Sequence, residues 1–138
     1  MIIVGEPSGD LHGASLISEL KKANPYLVIT GIGGELMQQA GMELFFHIKE
    51  LSAMGITEVL KQFNQIKQAF DLFRKKITLE KPDLLILIDY PGFNLKAAEY
   101  AKKNNISFEV AKMKESDKFG NTHTCYAKVE HGTIANIR

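Results

Sequence analysis

The chain has 138 residues, 45% of them hydrophobic, with Lys and Arg totalling 17, Asp and Glu totalling 16, and a formal net charge of +1. This length predicts one globular domain that buries a core without disulfide or metal staples, and a single cysteine excludes an intrachain disulfide. So balanced a charge supplies no global field for nucleic acid, which is not expected as a partner. The opening residues lack the basic and long apolar regions of a signal peptide. The longest aliphatic run, Leu84 to Ile88, falls far short of the roughly 20 apolar residues of a spanning helix. The chain reads as cytosolic.

Met1-Ile2-Ile3-Val4, stopped at Gly5, has the pattern of a short strand covered on both faces. After the loop Gly5 to Asp10, Ala14, Ile17 and Leu20 recur at helical spacing, with Lys21 and Lys22 in the last turn and Asn24-Pro25 closing the helix. Leu27 to Thr30 predicts the second strand. Gly31 to Gly34 leads into a short helix, Glu35 to Ala40, that Gly41 ends as a C-cap glycine, and Leu44 to Phe46 predicts the third strand. From Thr57 to Leu79, Phe63, Ile66, Phe70, Phe73 and Ile77 step by 3, 4, 3 and 4, the apolar stripe of a long helix. Pro82 follows its end, and the five aliphatics Leu84 to Ile88 predict a central strand. Tyr90-Pro91-Gly92-Phe93 predicts a turn, with Asn94 as the N-cap of a helix running to Lys103; Ile106 begins another strand.

This alternation predicts the α/β class: a Rossmann-like, doubly wound parallel sheet with helices on both faces. Ligands bind such sheets beyond the carboxyl ends of the strands. The loops of interest are therefore Gly5 to Asp10, Gly31 to Gly34 and Asp89 to Asn94. From Ser107 the texture changes. Phe108, Val110, Thr122, Thr124 and Tyr126 alternate with other residues, and Gly120-Asn121 has hairpin-loop composition. Either a C-terminal β-hairpin at the sheet edge or a disordered or foreign tail accounts for this, and both readings stay open.

Gly5-Glu6-Pro7-Ser8-Gly9-Asp10-Leu11-His12-Gly13 lies where a strand ends and a helix starts, a natural cradle for an anion or a hydroxyl. Glu6, Ser8 and Asp10 offer acceptors for sugar hydroxyls or a site for proton transfer; helix capping by Ser8 or Asp10 is the equal alternative. The lysine and spacing of a P-loop are absent. Gly31-Ile32-Gly33-Gly34 fails as a dinucleotide fingerprint, because Leu36 stands where the third glycine belongs. Asp89 directly follows five aliphatics, where a carboxylate is partly desolvated and suits a general base; a turn-satisfied Asp89, with Asn94 as a plain N-cap, is the alternative. The four histidines and Cys125 have no shared metal spacing, so no metal site is expected, and with the dinucleotide fingerprint failing at Leu36 no cofactor is expected either. Phe45, Phe46, Leu51, Met54, Gly55 and Ile56 surround the polar His47 to Glu50, as core or, in part, as a lipid-facing patch.

Four blocks in order, IIVGEPSGDLHGASLI, GIGGELMQQAGME, ELSAMGITEVL and KPDLLILIDYPGFNLKAA, resemble the N-terminal part of the lipid-A-disaccharide synthase family, bacterial glycosyltransferases of lipopolysaccharide assembly. The resemblance covers residues 1–106, and residues 107–138 form a divergent tail that does not match the family's continuation. It implies a two-lobed glycosyltransferase-B fold of which this chain supplies the Rossmann-like N-terminal lobe. It further implies hexosyl transfer from UDP-2,3-diacylglucosamine to 2,3-diacylglucosamine 1-phosphate (lipid X), giving a β-1,6 disaccharide and UDP, by a protein peripheral to the cytoplasmic face of the inner membrane. No metal is implied. Asp89 corresponds to the family's general base, and Glu6 and Ser8 to cleft-facing residues. Gly9, Asp10 and His12 of the same block and Asn94 are substrate-binding candidates, and Met54 lies in the region similar to the family's acyl-chain entrance. A non-catalytic module binding the acylated sugar phosphate and an inactive truncated product are the competing expectations.

Overall fold

A computed structural model describes residues 1–51, 59–113 and 124–127. In chain order the elements are β1 (Ile2–Val4), α1 (Pro7–Ala23), β2 (Thr30–Gly33), α2 (Glu35–Gln39), β3 (Glu43–His47), a 3-10 turn (Ile48–Leu51), α3 (Val59–Glu80), β4 (Leu85–Ile88), α4 (Pro91–Lys103), β5 (Phe108–Met113) and β6 (Thr124–Ala127). The sheet order is β3-β2-β1-β4-β5-β6. Strands β1 to β5 are all parallel, and β6 returns antiparallel on β5, pairing Val110 with Ala127 through to Met113 with Thr124. This is the expected Rossmann-like α/β arrangement. The Gly120-Asn121 turn lies outside the described residues.

From β1 the chain winds outward through β2 to β3, and from β4 it winds the other way to β5. With right-handed crossovers this puts α1 and α2 on one face of the sheet and α3 and α4 on the other. The helices pack together in those pairs. Ile2, Ile3 and Val4 are at most 2% exposed, so β1 is covered on both sides; in β4, Leu85 and Leu87 are fully buried on one face, while on the other Ile88 is buried, Ile86 is partly so and Leu84, just before the strand, is 37% exposed. The α3–α4 layer is sealed by aromatic rings. Phe93 meets Phe70 at 5.3 Å and Phe73 at 5.9 Å, both edge-on, and Ala97 and Ala101 let α4 lie close to the sheet.

Several boundaries differ from the sequence reading. The second strand is Thr30–Gly33 rather than Leu27 to Thr30, because Gly31 and Ile32 are the residues level with Ile2 and Ile3; Val28 is left 84% exposed. Both helices after the key strands start earlier than expected. Pro7 and Pro91 occupy the first helical turns, where a fixed φ and a missing N–H cost nothing, so the N-caps are Glu6 and Tyr90. Asn94 is therefore a first-turn residue and not an N-cap. The long helix buries Ala69, Phe73 and Ile77, while Phe63, at the start of the expected stripe, stands 69% exposed. Gly41, at φ +96, ends the short helix as expected.

Phe73→Ala is expected to cost about 3–5 kcal/mol in equilibrium urea unfolding, and Phe63→Ala no more than about 0.5 kcal/mol. Equal effects at the two positions would contradict this core.

Candidate active site

Val4 and Ile88 are paired neighbours at the carboxyl ends of β1 and β4, and from there the chain leaves to opposite faces of the sheet. The crevice between the two departing loops is the topological switch point, where α/β sheets bind ligands. Its walls are Gly5 to Asp10 and Asp89 to Asn94. Neither N-cap side chain caps its own helix. The first intrahelical bonds are Asp10 N–H to Glu6 O, 3.1 Å, and Asn94 N–H to Tyr90 O, 2.8 Å. The N–H groups of Ser8, Gly9, Gly92 and Phe93 precede them, so the positive ends of α1 and α4 both open on the crevice.

Glu6, Ser8 and His12 are exposed, and His12 lies one turn beyond Ser8 on the same side of α1. Gly9 is buried against the ends of β1 and β4, where even a methyl group would lie 3.1 Å from Val4 Cβ. Asp10 is engaged by the backbone at the start of α2. Its carboxylate is 5% exposed and accepts three backbone N–H groups at the start of α2: Gly34 at 2.8 Å and Met37 at 3.1 Å on Oδ1, and Leu36 at 3.1 Å on Oδ2. It caps another helix rather than its own, since the positive end of α2 attracts the charge. Position 34 must be glycine for this. A Cβ there would lie 2.4 Å from Asp10 Oδ2.

On the opposite wall, Asp89 is half-buried at the mouth of β4 and has no side-chain hydrogen bond among the described residues. Its φ is +46, the left-handed region that Asp and Asn tolerate better than most residues. Tyr90 follows, half-buried, stacked on Phe93 with centroids 5.6 Å apart and planes at 21°. Its ring covers Gly5 so closely that a Cβ at position 5 would fall 2.2 Å from Tyr90 Cγ. The two walls therefore touch. Burial, and secondarily the nearby Glu6 carboxylate, push the Tyr90 phenol above its usual range. Asn94 is 4% exposed on the sheet-facing stripe of α4 with Ala97, Ala98 and Ala101, and its Oδ1 is buried without a partner.

Met54 lies outside the described residues. Of its apolar neighbours, Phe46 and Leu51 are buried and Phe45 partly so. A trio that sequence spacing does not reveal sits at the ends of β2 and β3. Glu35 pairs with Lys49 and lies 3.4 Å from His47 Nε2, while Lys49 N–H donates to His47 Nδ1 at 3.0 Å. The Lys49 hydrogen bond holds the Glu35 carboxyl below its usual range. Only the Gly33–His47 register brings these residues together. An open groove of about 400 Å³ between α3 and α4, walled by Asp71, Arg74, Thr78 and Tyr100, shares no residue with the crevice. Among the described residues no group of three or more His, Cys, Asp or Glu gathers as a metal site, and no helix is long and apolar enough to cross a membrane.

Asp10→Ala strands three N–H groups at α2 and is expected to destabilise the chain by about 3 kcal/mol, read by urea unfolding. A spectroscopic titration is expected to find Tyr90 ionising above the usual phenol value of about 10. Glu6→Gln returns it only part of the way, because burial is the larger cause. Since the folded state favours the protonated phenol, the linked stability is intact below pH about 10 and falls as pH rises through the folded value.

A sequence-family profile described as lipid-A-disaccharide synthetase matches residues 1–111. The lipid-A-disaccharide synthase of Geobacter sulfurreducens is 45% identical over 106 residues, covering 77% of this chain and 28% of that protein. That of Coxiella burnetii is 44% identical over the same length and coverage. Lipid-A-disaccharide synthase 1 of Legionella pneumophila is 43% identical over 103 residues, 75% of this chain and 27% of that protein. The chain thus spans little more than a quarter of the length of these curated relatives. With a profile match running from the first residue through β4, α4 and into β5, the chain belongs to the lipid-A-disaccharide synthase family.

Proposed function

We propose that this chain is the acceptor-binding, base-carrying lobe of an inverting glycosyltransferase that moves 2,3-diacylglucosamine from its UDP conjugate to the 6-hydroxyl of 2,3-diacylglucosamine 1-phosphate. The observation that carries this reading is Asp89, a half-buried carboxylate without a side-chain partner among the described residues, at the switch point across from Glu6 and Ser8. Asp89 takes the proton of the acceptor hydroxyl as its oxygen attacks the anomeric carbon of the donor. The bond from that carbon to the UDP oxygen breaks, UDP leaves with the electron pair, and the anomeric centre inverts to the β-1,6 linkage. A positioned base of this kind contributes about 10²- to 10⁴-fold to rate.

The other residues divide by where they stand. Glu6, Ser8 and His12 are exposed beside the crevice and bind sugar hydroxyls, with Gly9 as the close-packed floor. Asp10 acts through the β2–α2 loop it holds. Asn94 lies on the sheet-facing stripe at the start of α4 and shapes the strand-end turn. Residues 1–106 form the lobe, and the tail from 107 is joined to it through β5, where the family match ends at residue 111, and β6. Donor binding belongs mainly to a second lobe, and register between the two lobes supplies the orientation advantage. Met54 borders the acyl-chain entrance, and acylated substrates bring the protein to the cytoplasmic face of the inner membrane as a peripheral protein.

A second reading is a module that binds the acylated sugar phosphate without turnover. Titration of this chain with 2,3-diacylglucosamine 1-phosphate, beside an assay of UDP release, separates the two: binding without UDP release is the module's signature. In a chain carrying both lobes, Asp89→Asn is expected to lower kcat by about 10²- to 10⁴-fold with acceptor KM little changed. Turnover at the wild-type rate would remove Asp89 from the role of base.

A further inference from the structure

We propose that Tyr90, which is not among the candidate site residues named above, is a positioning residue whose ring spaces the wall bearing Glu6 and Ser8 from the wall bearing Asp89. The inference deepens the reading of the crevice as the acceptor site, and its ligand-dependent part rests on that reading.

Three observations carry it. First, the added Cβ at Gly5 would lie 2.2 Å from Tyr90 Cγ and 2.4 Å from both Cδ1 and Cδ2. Equal distances to the two Cδ atoms put Gly5 over the ring face, so the backbone entering Glu6 rests on the phenol plane. Second, the ring is backed. It stacks on Phe93, which is 4% exposed and fixed by Phe70 and Phe73 of α3. A continuous line of packed rings thus runs from the α3–α4 layer to the start of α1, which belongs to the other face of the sheet. Close-packed interiors transmit displacement along such a line instead of absorbing it. Third, ring and base share one rigid turn. Asp89 precedes Tyr90 in the left-handed region, and the Tyr90 carbonyl accepts the first α4 bond, from Asn94 N–H at 2.8 Å.

Glu6 and Asp89 therefore do not find their separation independently. The ring thickness sets it, and glycine at position 5 is the complement of that thickness. Misplacement of reacting groups by about 1 Å can cost on the order of 10²-fold in rate, so a spacer at this point is worth as much as a direct contact. The ring rather than the hydroxyl does this work, which makes phenylalanine an adequate replacement.

The test uses the 138-residue chain and five variants: Tyr90→Phe, Tyr90→Ala, Tyr90→Leu, Gly5→Ala, and Gly5→Ala with Tyr90→Ala. Backbone amide shifts of Glu6, Ser8, Gly9 and Asp89 are recorded, and affinity for 2,3-diacylglucosamine 1-phosphate is measured. Tyr90→Phe is expected to keep wild-type shifts and affinity. Tyr90→Ala, or Tyr90→Leu should the alanine variant not fold, is expected to move the amides of both walls and weaken binding by about tenfold or more. Gly5→Ala alone does the same, yet adds little in the Tyr90→Ala background, because its clash partner is gone. Ile77→Val, a core control outside the line of rings, lowers the melting temperature without moving the amides of Glu6, Ser8 and Gly9. Unmoved wall amides in folded Tyr90→Ala or Tyr90→Leu, or additive Gly5 and Tyr90 effects, would overturn the proposal. Failure of the wild-type chain to bind the acceptor would sink the functional reading, leaving the spacer to be decided by the amide shifts and the double variant.

Discussion

Parallel pairing of β1 with β4 is the constraint on which the rest of the molecule depends. The two strands are far apart in the chain and nearly pure aliphatic, so each must be covered on both faces, and each covers the other's edge. The ladder begins with the bond from the Met1 amino group to Leu84 O at 2.8 Å and continues from Ile86 N–H to Met1 O at 2.9 Å. Once it forms, Val4 and Ile88 are level, and the loops that leave them have no choice but to be neighbours. The crevice is a product of strand register before any of its own side chains contributes.

Electrostatics then divides labour between carboxylates of similar chemistry. Asp10 is drawn inward to the start of α2 and spends its acceptors on three main-chain donors. Glu6 and Asp89 stand before helices whose first turns begin with proline and carry no side-chain cap. One carboxylate therefore holds a helix start, while the other two stand on the strand-end loops without a side-chain cap to make. Burial separates these roles: Asp10 is 5% exposed, Glu6 is exposed and Asp89 lies between. A buried charge needs full hydrogen bonding to be tolerated, which Asp10 obtains.

The parts of the fold legible in the sequence are those set by local pattern. Runs of aliphatics mark β1 and β4, and the 3-and-4 spacing marks α3. The C-cap at Gly41 is legible for the same reason. What escapes is set by partners distant in the chain. Gly31-Ile32-Gly33 has the composition of a loop and becomes a strand because β1 supplies its ladder. Asn94 has N-cap chemistry, yet the helix starts at Pro91, four residues sooner, and carries Asn94 into the sheet-facing stripe. Asp10 can be foreseen as a helix-capping residue, but not that the helix would be α2. Tyr90 has no local signal beyond standing before a proline; its importance comes from Gly5 and Phe93, which meet it only in three dimensions.

The backbone at Asp89 narrows what chemistry this position can carry. A residue at φ +46 is chosen first by whether its main chain tolerates the left-handed well, and Asp, Asn, His and Gly pass more readily than others. Glutamate, whose longer stem would otherwise make it an equivalent proton acceptor, is disfavoured at the hinge itself. The strand end thus selects a short carboxylate before any substrate is present, and its reach into the crevice is dictated by the main chain.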